Sequence, residues 1–292
     1  MARETRDFLG WVSIKKLSGD STGVSASTQI NIPSALVTPR NPNNVGYMQS
    51  INAQNSVSLK VAGKKTPSVA ISTYVKSTWF TSGLLKSLIL DIDTDYDTDV
   101  YSLGVNDGTT TRVWDSMRCN SITLSQSAEG GPTSCDIGFT AIYGENEAAV
   151  PTTYAAVTGD CGSLVDVAHV DFGASGSVTA DFVKGWTLSI IRPQGYVFEI
   201  DGTLYAADTI SGKLGGALTL TQSPNATTSP STAATLRIFT AGAVPTGTGI
   251  KIDMVTSLDE YIRDHLPSFG TTVRSYTLID LCGANAITAT TF

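Results

Sequence analysis

The chain has 292 residues, an apolar share of 41% and a mean hydropathy of +0.06, so it is globular, with enough length for two domains of about 150 residues. Charged residues make up only 15%, against about 25% in ordinary soluble domains, and the surface must be covered by Ser, Thr, Asn and Gly or by other protein. A net charge of −7 with pI near 4.8 argues against a protein that tracks nucleic-acid phosphates.

No apolar run reaches the roughly 20 residues of a membrane span, and the polar start from Met1 to Asp7 carries no secretory signal pattern. The segment from Thr38 to Gly46, with two prolines and three asparagines, is expected to be a long loop at a hairpin tip. Val57, Leu59 and Val61 alternate with polar neighbours, and Val69, Ile71, Thr73 and Val75 repeat the pattern. Period two marks half-buried strands. Residues 81–90 are expected to form a helix, with Leu84, Leu85 and Leu88 as its apolar stripe.

Asp91, Asp93, Asp95, Asp97 and Asp99 then recur at every second position. In an extended strand this spacing sets five carboxylates on one face, as a solvated edge, a lumen or a partner surface. Calcium binding is weakly supported, because the EF-hand glycine and terminal glutamate are missing. Cys135, Ile137, Phe139, Ala141 and Tyr143 form one face of a further strand, and Glu147 to Thr153 reads as a linker.

In the second half Trp186, Leu188 and Ile190, then Tyr196, Phe198 and Ile200, then Leu218 and Leu220, keep the alternation. Residues 223–231 resemble the earlier Pro/Asn loop. Residues 249–255 and 271–279 read as strands. Between them, Ser257-Leu-Asp-Glu260 is a capping box, and Leu258, Tyr261, Ile262 and Leu266 share a helical face that Pro267 ends. A second short helix is expected there. The fold class is therefore mainly β, with two β-sandwich or barrel units, each under one short helix.

A weak internal duplication supports two units. Ser121-Ile-Thr-Leu-Ser-Gln-Ser127 matches Ala217-Leu-Thr-Leu-Thr-Gln-Ser223 at an offset of 96, and the same offset pairs Ile142-Tyr143 with Ile238-Phe239. Asp107-Gly-Thr109 resembles Asp201-Gly-Thr203 with two residues inserted. The expected domains are residues 1–148 and 149–292.

Catalytic chemistry finds no footing. His169 reads as a half-buried or interface residue and His265 as a surface histidine, no Gly-x-Ser-x-Gly elbow occurs, and no glycine-rich phosphate loop opens a helix. Cys119, Cys135, Cys161 and Cys282 show no Cys-x-x-Cys spacing and read as free, mostly buried thiols. Neither a metal nor any other cofactor is expected, and the chain is read as a non-enzyme.

Three segments carry a resemblance: Met48-Gln-Ser-Ile-Asn-Ala-Gln-Asn-Ser-Val-Ser-Leu-Lys-Val-Ala62, Trp79-Phe-Thr-Ser-Gly-Leu-Leu-Lys-Ser-Leu-Ile89, and Val113-Trp-Asp-Ser-Met-Arg-Cys-Asn-Ser-Ile-Thr-Leu-Ser-Gln126. Their order of strands and Leu-rich helix resembles the tail tube (major tail) proteins of long-tailed bacteriophages, mainly over residues 45–145. That resemblance implies a structural virion protein of the tail, made in the bacterial cytoplasm. Its copies would join inner sheets into a barrel, as a hexamer or as a trimer with pseudo-sixfold symmetry, and stack into a tube with other tail proteins. Double-stranded DNA would pass through without specific binding.

On this resemblance Asp91, Asp93, Asp95, Asp97 and Asp99 are candidates for the lumen face, and Arg40, Asn41, Asn43 and Asn44 for an inter-ring loop. The alternatives are a surface β-sandwich binding carbohydrate or protein, a baseplate or head-decoration protein, and a type VI secretion tube protein. The core-like patterns around Trp11, Trp79, Trp114 and Trp186 weigh against the carbohydrate binder.

Overall fold

The computed structural model describes residues 10–17, 28–32, 35–40, 43–49, 57–93, 100–127, 131–147, 152–155, 164–165, 170–174, 177–179, 183–223, 233–239, 248–263, 272–279 and 286–291. The first nine strands are β1 (Trp11–Lys16), β2 (Gln29–Asn31), β3 (Leu36–Arg40), β4 (Asn43–Gln49), β5 (Val57–Lys65), β6 (Ser68–Tyr74), β7 (Tyr101–Asn106), β8 (Thr111–Ser127) and β9 (Ser134–Ala141). Helices α1 (Thr78–Thr81) and α2 (Leu84–Asp93) lie between β6 and β7. The next nine strands are β10 (Val170–Ala174), β11 (Ser177–Thr179), β12 (Val183–Ile191), β13 (Gln194–Val197), β14 (Asp208–Ser211), β15 (Gly215–Gln222), β16 (Ala233–Phe239), β17 (Gly249–Arg263) and β18 (Thr272–Leu278). A nineteenth, β19 (Ile287–Thr291), follows them.

The protein is mainly β, as the period-two pattern requires. All sixteen ladders between the described strands are antiparallel, and fourteen of them fall into two sets of seven with one order. In the first set β1 pairs with β2 and β7, β7 with β8, β8 with β9, β9 with β6, β6 with β3, and β4 with β5. In the second β10 pairs with β11 and β16, β16 with β17, β17 with β18, β18 with β15, β15 with β12, and β13 with β14. The two remaining ladders are β8–β12, which joins the sets, and β17–β19.

The register repeats as well. A shift of 149 residues carries the pair Thr38↔Ala70 onto Thr187↔Thr219, and Gly46↔Val61 onto Gly195↔Ile210. At that shift Gly46-Tyr47 falls on Gly195-Tyr196, and Gly63-Lys64 on Gly212-Lys213. The match at offset 96 aligns β8 with β15, which hold different places in the two orders. Both flank β12, and both bury Leu/Ile on one face with Ser/Thr on the other, so a shared environment accounts for their likeness. The Asp-Gly-Thr match has a similar local cause. Asp107 and Asp201 each accept the amide and hydroxyl of the threonine two residues on, beside Gly108 and Gly202 at φ 95° and 82°.

The core lies between the shared sheet and its covers. Cross-strand neighbours Leu124, Leu188, Leu218 and Tyr276 run through four adjacent strands and are fully buried. Helix α2 packs on β8, β12 and β19, burying Leu84, Leu85, Leu88, Ile89 and Ile92. The first helix therefore lies where expected, but it breaks at Gly83, which takes φ 73°, and continues to Asp93. Trp79, Trp114 and Trp186 are buried, while Trp11 is half-buried against Tyr154.

Two expectations are corrected. Residues 257–263 are strand, not helix: β17 continues through the capping box and pairs with β18 from Thr256 to Arg263, with a bulge between Leu258 and Glu260. A long ladder outweighs local capping chemistry, because it satisfies each backbone group along the segment. The Thr38–Gly46 segment is not one loop either. Arg40 ends β3, while Asn43 and Asn44 open β4, so these residues belong to a hairpin arm that leaves the sheet at β3 and returns through β5 into β6. Asn41 lies outside the described residues, as do residues 224–231 of the second expected loop.

The expected linker packs closely against the first half. Lys15 donates to the Thr153 carbonyl, Asp115 accepts from the Thr152 amide at 3.0 Å, and the ring of Tyr154 occupies the space a Cβ on Gly104 would need.

Candidate assembly surface

Alternation along β6, β9, β8, β12, β15 and β18 sends apolar side chains inward and leaves one continuous face of small hydroxyls outward. One cross-strand row reads Ser72, Asp136, Thr123, Ser189, Ala217 and Thr277. The next reads Tyr74, Ser134, Ser125, Thr187, Thr219 and Ser275. Ser125 and Ser134 share a hydrogen bond of 2.6 Å, and Thr123 and Ser189 one of 3.2 Å. Asp136 is the sole charge in these two rows. Thr277, at the end of the first row, donates to the Asp259 carboxylate, Lys184 lies beside Thr187 and Thr221, and the indole of Trp186 lies beneath the face, 4% exposed.

The join between the two ladder sets is built on both backbone and side chains. Ser121 to Ser127 of β8 pair with Ile191 to Gly185 of β12. Just beyond β12, Arg192 reaches back to α2, where its Nε and Nη2 donate to the carbonyls of Ile92 and Asp93 at 2.7 and 2.6 Å. A cation on the last carbonyls of a helix completes groups the helix itself cannot pair.

The arm formed by β13 and β14 folds over the first half. Lys64 Nζ donates to the carbonyls of Glu199 and Thr203 at 2.9 and 2.6 Å, with Asp201 3.8 Å away. The Lys65 amide donates to the Leu204 carbonyl at 2.7 Å, and the Tyr196 hydroxyl donates to the Pro67 carbonyl. Burial in this contact pushes the Tyr196 phenol up to about 12. Arg118 pairs with Asp208 at 3.1 Å, and Tyr143 meets Tyr205 at 5.3 Å between ring centroids. At the far end of the arm Ile200 is fully exposed, and Ile210 is 64% exposed on its flank.

Several strands of the large sheet have a single partner among the described residues: β2, β11 and β19 each pair once, and two further free edges occupy corresponding places in the two ladder sets. β3 pairs with β6 alone, and β17 beyond Thr256 pairs with β18 alone. Their counterparts β12 and β8 are the strands that the join brings together. Leu36 on β3 is 67% exposed.

The aspartate row is not a single face. Asp91 and Asp93 are the last turn of α2, and both are engaged inside the protein. Asp91 accepts from Ser87 at 3.2 Å and from Tyr101, and stands 3.6 Å from Lys16, whose side chain is fully buried. Burial, followed by the Asp91 carboxylate, raises the Tyr101 phenol well above its usual range. The Asp93 carboxylate accepts the amides of Ala286 and Ile287 at 3.2 and 3.0 Å, tying the start of β19 to the helix. Both carboxylates face the interior, because the helical stripe of Leu84, Leu85 and Leu88 continues through Ile89 and Ile92 and turns this segment inward. Asp95, Asp97 and Asp99 lie outside the described residues.

Cys119 and Cys135 are free and buried, and burial raises both thiols far above the usual range. Cys161, Cys282, His169 and His265 lie outside the described residues. Among the described residues no group of three His, Cys, Asp or Glu is placed to hold a metal ion, and no helix is long and apolar enough to cross a membrane. The sequence missed Lys64, Arg118 and Tyr196 as contact residues. The repeated Gly-Tyr and Gly-Lys pairs are the signal that could have marked two of them. No protein-family model and no curated protein matches this chain.

Proposed function

We propose that this is a structural, non-enzymatic protein that builds a ring by continuing its sheet from copy to copy, as in a phage tail tube. Residues 1–148 and 149–292 act as two copies of one β unit. The single observation that carries this reading is the β8–β12 ladder: one ladder set receives an edge strand of the other, while the corresponding edges, β17 and β3, stay free. Adding β3 of one copy to β17 of the next repeats the internal join with the same polarity. Such a head-to-tail contact generates rings when the rotation closes, and it covers sheet edges that otherwise invite unspecific pairing.

The hydroxyl face then serves as the wall of the bore. Its two central rows carry one carboxylate, Asp136, among hydroxyls, so a passing polyanion meets neither paired cations nor a dense array of carboxylates there. This supports a conduit for double-stranded DNA in a virion tail, stacked with other tail proteins, with Ser and Thr in the role first given to the aspartate row.

The experiment is direct. The purified chain is concentrated, its mass followed by light scattering, and its assemblies imaged in negative stain. Rings or tubes of constant bore are expected. A chain that stays monomeric across the concentration range refutes the proposal.

A further inference from the structure

Resting on the ring reading, we infer that the tip of the β13–β14 arm of one copy seats Ile200 in a recess over Gly185 of the next copy along the strand direction. The partner is a second copy of this chain, and the contact joins one ring to the next.

The recess lies on the hydroxyl face, astride the β8–β12 ladder, and holds about 390 Å³. Gly185 forms its floor. Ser127 and Thr221 are the cross-strand neighbours of Gly185, Thr187 follows on the same face, and Lys184 stands at the edge. A glycine inside a strand costs stability, and it often marks close approach by another molecule. The chain's own packing does not call for one here. A Cβ on Gly185 would meet the Gln126 carbonyl at 3.5 Å and the Ser127 Cα and Thr221 Cβ at 4.0 Å, all ordinary contacts. Nor does the adjoining bulge between Val183 and Gly185 require it, because Gly185 does not take a positive φ. Omitting the side chain opens space that the fold itself does not use.

The arm supplies a matching knob. Ile200 is fully exposed at the tip, and Val197 and Ile210 on the same arm are largely uncovered too. The tip is held in place. Asp201 accepts the Thr203 amide and hydroxyl, both at 2.9 Å, around Gly202 at positive φ. Lys64 grips the carbonyls of Glu199 and Thr203 on either side of Ile200. The knob is thus presented on a turn fixed before any partner arrives, which lowers the ordering cost of docking. Charge agrees with shape, since Glu199 and Asp201 flank Ile200 and Lys184 stands at the rim of the recess.

Knob and recess do not meet within one chain. β12 runs from Val183 to Ile191, with the recess at its start and the arm leaving from its end. The arm continues in that direction. It contacts Pro67 and Tyr143, which adjoin the Ser68 and Ala141 ends of β6 and β9, remote from Ser127. Tip and recess therefore sit at opposite ends of the molecule, and a contact between them repeats head to tail. It adds copies along the strands, where the β3–β17 join adds them side by side.

The test uses the full chain. Ile200→Ser removes the knob, Gly185→Val fills the recess, and Lys184→Glu reverses the rim charge. Ile200 and Lys184 are exposed and Gly185 has room for a Cβ, so thermal midpoints by circular dichroism should match wild type. Assemblies are sized by sedimentation, and their lengths are measured in negative stain. Loss of a buried isoleucine should weaken each contact about tenfold or more. Ile200→Ser and Gly185→Val should therefore leave rings that do not lengthen into tubes. Lys184→Glu should weaken stacking about threefold, and adding Glu199→Lys should restore it. Wild-type length from either of the first two variants, or no rescue in the last, overturns the pairing of knob and recess while ring formation stands. Wild-type rings that never stack overturn it in the same way. If wild type stays monomeric, both proposals fail.

Discussion

The two halves of the chain share one ladder order but differ in what covers it. In the first half, α1 and α2 fill the connection between β6 and β7. Lys64 and Pro67 there are occupied by the arm of the second half. The second half carries the extra strand β19, and its matching lysine, Lys213, remains exposed. The same ladder order thus appears once with an arm held over its lysine and once, among the described residues, without one. The internal join is part of the core, whereas the corresponding edges of β3 and β17 carry no further strand among the described residues.

The largest test of that comparison is in the shared sheet. Leu188 is fully buried between Leu124 and Leu218, so Leu188→Ala should cost about 2–5 kcal/mol. Urea unfolding followed by circular dichroism should then show one transition at lower denaturant. Two separated transitions would mean that the halves fold independently, and the join is not core. Thr187→Ala, one residue away on the hydroxyl face, should change stability by no more than about 0.5 kcal/mol.

Asp93 ties the first-half helix to β19, and its carboxylate is the acceptor for two amides. Asp93→Ala strands those donors and should cost about 1–3 kcal/mol. Amide exchange should rise first at Ala286 and Ile287. Unchanged exchange there would remove this link between the halves.

Lys64→Ala sharpens the filled-versus-open comparison. Its side chain is one-third exposed, so the loss should be only about 1 kcal/mol. The change should appear in the thermal midpoint of the monomer, whereas Lys213→Ala should leave that midpoint alone. Equal effects from both lysines would erase the distinction.

The smallest expected effect is in the two Asp-Gly-Thr turns. Hydrogen bonds from Thr110 and Thr109 hold the Asp107 carboxyl down at about 2, and Thr203 lowers Asp201 in the same direction. A carboxyl lowered on folding stabilises above its unfolded value near 4, and that contribution fades as pH falls toward the folded value. Carbon-detected NMR titration should find both below ordinary aspartates, with turn amides shifting between about pH 4 and 2. A normal titration of Asp107 would show that the turn opens in solution.

Much of this was legible in the sequence, for physical reasons. A sheet with one buried face imposes period two, so the strands around Val69, Ile137, Leu188 and Leu218 could be read directly. The stripe on α2 was equally readable up to Leu88, yet the alternating aspartates masked its continuation through Ile89 and Ile92. Residues 257–263 satisfied a helical cap and a strand at once, and only the partner strand β18 decided between them. The match at offset 96 lies on β8 and β15, where similar environments on either side of β12 select similar residues. The ladder sets instead align the short pairs Gly-Tyr and Gly-Lys, which acquire meaning only when the ladders show where they lie. The contact site was therefore hidden in plain composition, since a surface lysine announces nothing until its twin is seen at work.

The β8–β12 ladder has one more consequence. Because the chain holds its two ladder sets side by side through this ladder, a circle built by repeating the proposed step would hold an even number of sets. Under that proposal, circles of five or seven sets would be forbidden by connectivity alone, and every second seam would be made during folding instead of by collision.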